Sequence, residues 1–123
     1  MKIFSSAQIK KWDAFTIQEE PIASIDLMER AADACFNWLV ETGYQYKTFH
    51  IFCGKGNNGG DGLALACILQ QQNKNVKVYI LETNKKGSPD FEINLKRFQA
   101  CSSKIYFIKS KKNFPKIKNE DIV

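Results

Sequence analysis

Gly54-Lys55-Gly56-Asn57-Asn58-Gly59-Gly60-Asp61-Gly62 follows the short apolar run 49–52 and precedes Leu63-Ala64-Leu65-Ala66-Cys67-Ile68-Leu69. The run before it, with Phe49, Ile51 and Phe52, is aromatic and β-branched, as in a strand buried on both faces. The segment after it has a small-residue helical pattern that extends to about Gln72. The spacing thus predicts a strand-to-helix loop across 54–62. Five glycines in nine residues exceed what a plain packing turn requires. Glycine permits positive φ and lets a ligand approach the backbone closely. A helix start adds unpaired N–H groups and partial positive charge, which suit an anion. In an open α/β sheet such a loop lies at the carboxyl end of its strand, where ligands bind. The stretch reads as a nucleotide-binding loop.

Working outward, Asn73-Lys74-Asn75 is a turn and 76–81 a second strand rich in β-branched residues. Ser88 is placed to cap a further helix with Pro89 at its first position, and Phe91, Leu95 and Phe98 give that helix an apolar side until it fades near Cys101. Residues 104–108 form a third strand, 109–120 a lysine-rich polar loop, and Asp121-Ile122-Val123 the beginning of a fourth strand. Upstream, Ser5 or Ser6 can cap a helix to about Gln18, and a second helix covers 24–41. The apolar positions Leu27, Met28, Ala31, Ala34, Cys35, Trp38 and Leu39 follow three-four spacing. Ser24 is its expected N-cap and Gly43 its terminator. Alternating strands and helices demand parallel pairing with right-handed crossovers. The expected fold is α/β, a three-layer α/β/α Rossmann-like sandwich with a mainly parallel sheet and two N-terminal helices first. Residues 1–123 are expected to be the N-terminal part of one domain, interrupted at its fourth strand. An unpaired sheet edge would then favour pairing with a second copy as a homodimer.

The 123 residues are 44% hydrophobic and 25% charged, ordinary values for one soluble globular domain. No window approaches the roughly 18 consecutive apolar residues of a membrane span, and the N-terminus lacks the apolar stretch of a secretory signal. A cytoplasmic protein is expected. The formal net charge is +5, with Lys104, Lys109, Lys111, Lys112, Lys116 and Lys118 clustered late in the chain. Tyr106 and Phe107 follow a strand pattern rather than forming a stacking platform, so the cluster reads as a solvated face and not a nucleic-acid site. Cys35, Cys53, Cys67 and Cys101 form no Cys-x-x-Cys pair and read as small buried thiols. His50, the one histidine, sits in an apolar run and reads as structural.

Two ligand classes suit the loop. Gly54, Gly56 and Gly59 satisfy the dinucleotide pattern G-x-G-x-x-G, and Glu82 follows the second strand where a ribose-binding acid belongs. Asp61 opposes that reading, because a carboxylate in the first turn of the helix would repel a pyrophosphate seated there. It suits sugar hydroxyls, backbone amides or a cation, and Asn57 and Asn58 add amide oxygens and donors.

The string GKGNNGGDG after an apolar strand resembles the GxGNNGGDG signature of the NAD(P)H-hydrate epimerase family (YjeF N-terminal domain). Ser24-Ile25-Asp26-Leu27-Met28-Glu29-Arg30-Ala31-Ala32 resembles the family's LMExAG helix, with Ala32 or Asp33 in place of its glycine. The resemblance implies that Asn57, Asn58, Gly59, Gly60 and Asp61 contact hydrated nicotinamide nucleotide (NADHX or NADPHX), and that Asn58 also ligates a potassium ion. It implies epimerisation of the R and S forms at the hydroxylated C6, in a repair pathway shared with an ADP- or ATP-dependent NAD(P)H-hydrate dehydratase, separate or fused in one bifunctional protein. Inversion there requires loss and return of hydroxide or water with a positioned acid–base group. The resemblance puts that group on an aspartate of the fourth strand, beyond Val123, and Asp121 is not assigned the role. An NAD-binding dehydrogenase domain and a non-catalytic scaffold of the same fold stand as alternatives.

Overall fold

The computed structural model describes residues 23–83, 85–110 and 113–123. The helix expected from Ser5 or Ser6 to Gln18 lies outside the described residues. Helix α1 spans Ser24–Glu41, buries Leu27, Met28, Ala32 and Leu39, and carries Asp26 in its first turn. Its N-cap is Ala23, with no side-chain cap, so Ser24 is the first helical residue and not the expected cap. At the other end the Thr42 hydroxyl donates to the carbonyls of Trp38 and Leu39 at 2.9 and 3.1 Å. Gly43 then reverses the chain at φ +81°, a left-handed position that glycine occupies without steric cost.

A 3-10 turn, Tyr44–Tyr46, leads to β1 (Phe49–Cys53), helix α2 (Asn57–Gln71) and β2 (Val76–Leu81). Helix α3 (Pro89–Cys101) starts as its sequence indicates, with Pro89 in the first turn and Ser88 as N-cap. The Ser88 hydroxyl accepts from the Phe91 amide at 3.2 Å. Strand β3 (Ile105–Ile108) follows. The sheet order is β1-β2-β3, all parallel, the α/β class and strand direction that the alternation predicts. Ile122 bridges Phe49 in parallel on the free side of β1. The His50 amide donates to Ile122 O and the Ile122 amide to Thr48 O, both at 2.8 Å. The expected fourth strand is thus begun at its predicted place, and β1 lies inside the sheet.

The register puts Phe49, Cys53, Val76, Val78, Ile80 and Ile122 on one face, where they form a single buried core with Leu39 of α1, Leu63 and Leu69 of α2, and Phe91 and Phe98 of α3. Burial of a large aliphatic or aromatic side chain contributes about 1.5–3 kcal/mol, so this interface dominates the stability. All three described helices send residues into that face. The opposite face carries stacked rings: Phe52 on Tyr79 (centroids 4.8 Å), Tyr79 on Tyr106 (5.4 Å) and Phe52 on Phe114 (5.9 Å).

His50 is buried on that second face. One ring nitrogen lies 3.1 Å from the Tyr79 hydroxyl and the other 2.8 Å from the Asp121 carboxylate, which also accepts from the Lys118 amide at 3.3 Å. The hydrogen bond from His50 holds the Asp121 carboxyl below the usual carboxylate value. The structural role expected of His50 is met: it ties the start of the fourth strand to β1. Among the described residues no helix is long and apolar enough to cross a membrane.

Candidate nucleotide site at the carboxyl edge of the sheet

The helix after β1 begins earlier than its sequence suggests. Gly56 is the N-cap (φ −88°, ψ −171°) and Asn57 the first helical residue; the first intrahelical bond runs from the Gly60 amide to Gly56 O at 3.0 Å. The predicted loop over 54–62 therefore shrinks to a turn at Gly54-Lys55-Gly56, and Asn57, Asn58, Gly59, Gly60 and Asp61 are the opening turns of α2. Glycine is a poor helix former, and tertiary contact overrides that propensity here. Among the described residues the one glycine with positive φ is Gly43, so the glycines of this segment are not required for φ.

They are required for approach. A Cβ on Gly59 would stand 1.8 Å from Gly54 O, so the turn folds directly onto the helix start. A Cβ on Gly60 would stand 2.9 Å from both Sδ and Cε of Met28, and one on Gly62 would meet Cys53 Sγ at 3.0 Å and Ile51 Cγ2 at 3.1 Å. Gly54 and Gly56 would meet nothing within 4 Å and line the open side. The two sequence features behind the family resemblance thus touch, Met28 of α1 against Gly60 of α2.

Asn57 and Asn58 are exposed, while Gly59, Gly60 and Asp61 are buried. The amides of Asn57, Asn58 and Gly59 precede the first intrahelical bond and have no acceptor within the helix. Asp61 lies three and four residues after Asn58 and Asn57, on their side of the helix, with 8% exposure. It is the fifth residue of α2, one turn in from the helix start. No acidic residue stands in the first turn of α2, so the carboxylate expected there lies further along the helix. The chain leaves β1 for β2 on one side and returns after β3 to Ile122 on the other side of β1, so the order of strands reverses beside β1 and this helix start lies at a topological switch point, where open α/β sheets form their ligand crevice.

Lys55 is a further residue of this turn, and its sequence context does not mark it. Its ammonium donates to Glu82 at 3.0 Å and to Thr83 O at 3.4 Å, and Lys55 O accepts from the Ser88 amide at 2.8 Å. The residue clamps the glycine turn to the connection between β2 and α3. Glu82, the acid that a dinucleotide reading gives to a ribose, is engaged by this cation. A sequence cue was lacking because the two residues stand 27 apart and meet only through the parallel register of β1 and β2.

Among the described residues no group of three or more His, Cys, Asp or Glu is arranged to hold a metal. A monovalent cation instead takes amide and carbonyl oxygens, of which exposed Asn58 offers one.

A family model described as YjeF-related protein N-terminus matches residues 24–123. An NAD(P)H-hydrate epimerase of Oenococcus oeni is 41% identical over 93 residues, covering 75% of this chain and 44% of that protein. One of Anaerococcus prevotii is 39% identical over 111 residues, 89% of this chain and 50% of that protein. The bifunctional NAD(P)H-hydrate repair enzyme Nnr of Moorella thermoacetica is 33% identical over 112 residues, 88% of this chain and 21% of that protein. The chain spans about half the length of the epimerases it matches. The crystal structure of yeast ynu0 (YNL200c) shares the fold at a TM-score of 0.58 and 21% identity, covering 87% of this chain and 47% of that one.

Proposed function

The chain belongs to the YjeF-related protein N-terminus family, and from that premise we propose that it carries the substrate-binding half of an NAD(P)H-hydrate epimerase site. The observation that carries the reading is the start of α2: exposed Asn57 and Asn58 with uncommitted helix amides, buried Asp61 one turn in, all at the switch point of a parallel sheet. Helix amides suit the phosphates of NADHX or NADPHX, and the asparagine amides suit its sugar and carboxamide groups. Names borne by relatives support the activity. Epimerisation at C6 proceeds by loss and return of the hydroxyl group, aided by the ring nitrogen.

The same reading places the protein in the cytoplasm, as a homodimer working alongside an NAD(P)H-hydrate dehydratase. Asn58 would give a potassium ion its side-chain oxygen, and such an ion would bring fixed positive charge to the mouth of the site. Replacing potassium by choline chloride tests this: unchanged nucleotide-induced thermal stabilisation would remove the ion from the proposal.

For the activity, R-NADHX is incubated with the natural full-length protein, since this chain carries the binding half, and conversion to S-NADHX is followed by chromatography. Acceleration that is lost in Asn58→Ala supports the proposal; no acceleration together with no thermal stabilisation by NADPHX refutes it. A dehydrogenase domain is disfavoured because Lys55 holds Glu82, and tighter binding of intact NAD than of NADHX would reverse that judgement.

A further inference from the structure

On the helical side of the molecule, away from the sheet, a groove is lined by Glu29 and Asp33 of α1, Cys67 and Gln71 of α2, and Arg97 and Cys101 of α3. Its two cysteines come from different helices and belong to no part of the nucleotide site. Cys67 is half-buried and Cys101 exposed. Both residues line this one groove, near enough for the Cys101 thiol to act on the Cys67 proton, and Cys101 Sγ donates to Phe98 O at 3.3 Å. Burial first, then the neighbouring Cys101 thiol, pushes the Cys67 thiol up to about 12, so it keeps its proton. Cys101 is the sulfur that solvent reaches. Cys53, by contrast, is 1% exposed inside the core.

We propose that Cys67 and Cys101 are an oxidation site that closes a disulfide between α2 and α3. The oxidant is a hydroperoxide. The Cys101 thiolate attacks one peroxide oxygen, the O–O bond breaks, hydroxide leaves, and Cys101 becomes a sulfenic acid. The Cys67 sulfur then attacks the sulfenic sulfur, the S–O bond breaks, and the Cys67 proton leaves with the hydroxyl as water. Two thiols are oxidised by two electrons and one peroxide is reduced. The buried member resolves and the exposed member reacts first, the order that access dictates.

The crosslink joins the far ends of two helices whose near ends frame the candidate site. Helix α2 begins with Asn57 and Asn58, and the cap of α3 is hydrogen-bonded to Lys55 O through the Ser88 amide. Oxidation therefore fixes the α2–α3 packing that supports the ligand-facing turn, and by constraining the unfolded chain it raises the melting temperature by about 10 °C.

The test is independent of the nucleotide ligand. Reduced protein is treated with hydrogen peroxide, alkylated with iodoacetamide in denaturant and digested. The expected result is a monomer lighter by two hydrogen atoms, a crosslinked Cys67–Cys101 peptide and the higher melting temperature. In Cys67→Ser the intermediate stops at the Cys101 sulfenic acid, which dimedone captures. Cys101→Ser, at an exposed position, keeps the fold and forms no crosslink. Recovery of Cys67 fully alkylated after peroxide treatment, with Cys101 overoxidised or joined to another molecule, would overturn the proposal.

Discussion

The thioether of Met28 in α1 packs directly on Gly60 in α2: a Cβ there would lie 2.9 Å from both Sδ and Cε. Met28 Sδ is itself held by the Asn94 side-chain amide at 3.0 Å, and Asn94 is buried in α3. Three helices are therefore locked together directly beneath the candidate site. The obstacle at Gly60 is the end of a flexible side chain, whereas the obstacle at Gly59 is the backbone carbonyl of Gly54 at 1.8 Å. Gly60→Ala is expected to change stability by no more than about 1 kcal/mol, since helix propensity offsets the displaced thioether. Gly59→Ala is expected to cost about 3 kcal/mol or more, because the turn itself must move. Urea denaturation of both variants checks the difference, and equal costs would contradict the geometry.

Asn57 and Asn58 are exposed at the helix start, so their replacement should separate binding from folding. Asn58→Ala is expected to alter stability by no more than about 0.5 kcal/mol. It should reduce nucleotide affinity by roughly tenfold, the value of one or two hydrogen bonds. Calorimetric titration with NADPHX beside a thermal melt measures the two effects. A large loss of stability with unchanged affinity would assign Asn58 a structural role.

The Lys55–Glu82 pair is partly solvated, with side-chain exposures of 19% and 27%. Its coupling energy in a double-mutant cycle is expected to be about 0.5–1 kcal/mol and to fall as salt rises. Freeing Glu82 by Lys55→Ala should weaken anion binding at the adjacent helix start by adding an unpaired negative charge. Nucleotide affinity that is unmoved by Lys55→Ala would place the pair outside the site's field.

The Asp121 carboxyl is held below its ordinary value chiefly by the hydrogen bond from His50. A depressed folded-state value means that the unfolded chain binds the proton more readily. The stabilisation is therefore fully present above the ordinary aspartate pKa of about 3.9 and is lost as pH falls through the lower, folded value. Asp121→Asn should remove that dependence. The stability difference between the two proteins is expected to be constant near neutrality and to shrink in acid. Denaturant midpoints followed from neutrality down into acid, below the ordinary aspartate pKa, provide the check.

Strand β3 pairs with β2 on one side, and among the described residues no strand pairs with its other edge. Tyr106 and Phe107 are 46% and 42% exposed along it, an arrangement that favours strand addition by a second copy. Sedimentation should show concentration-dependent dimerisation that Phe107→Lys suppresses. A stable monomer at high concentration would contradict it.

Hydrophobic periodicity was enough to locate 24–41, 76–81 and 89–101, because burial of one helix face or one strand run writes a local pattern into the chain. The same local logic misplaced the start of α2: glycine and asparagine discourage helix in isolation, and only contact with Gly54, Met28 and Cys53 makes them the residues that fit. Cap choice was also split by context. Ser88 has a free amide within reach at Phe91, whereas Ser24 is carried past its cap position by Ala23.

What the sequence by itself determined is the glycine-rich segment at 54–62, its position after a buried strand, the α/β alternation and the family. The first three follow from residue type and spacing; the family follows from the likeness of whole motifs to a known signature. The tertiary structure alone decided why the glycines are there, which side of the helix start is open, and which partners Lys55 and His50 take. Each depends on atoms brought together by parallel register, across 27 residues for Lys55 and Glu82 and 71 for His50 and Asp121. Spacing along a chain encodes which face is buried; proximity across a sheet is set only when the strands have chosen their neighbours.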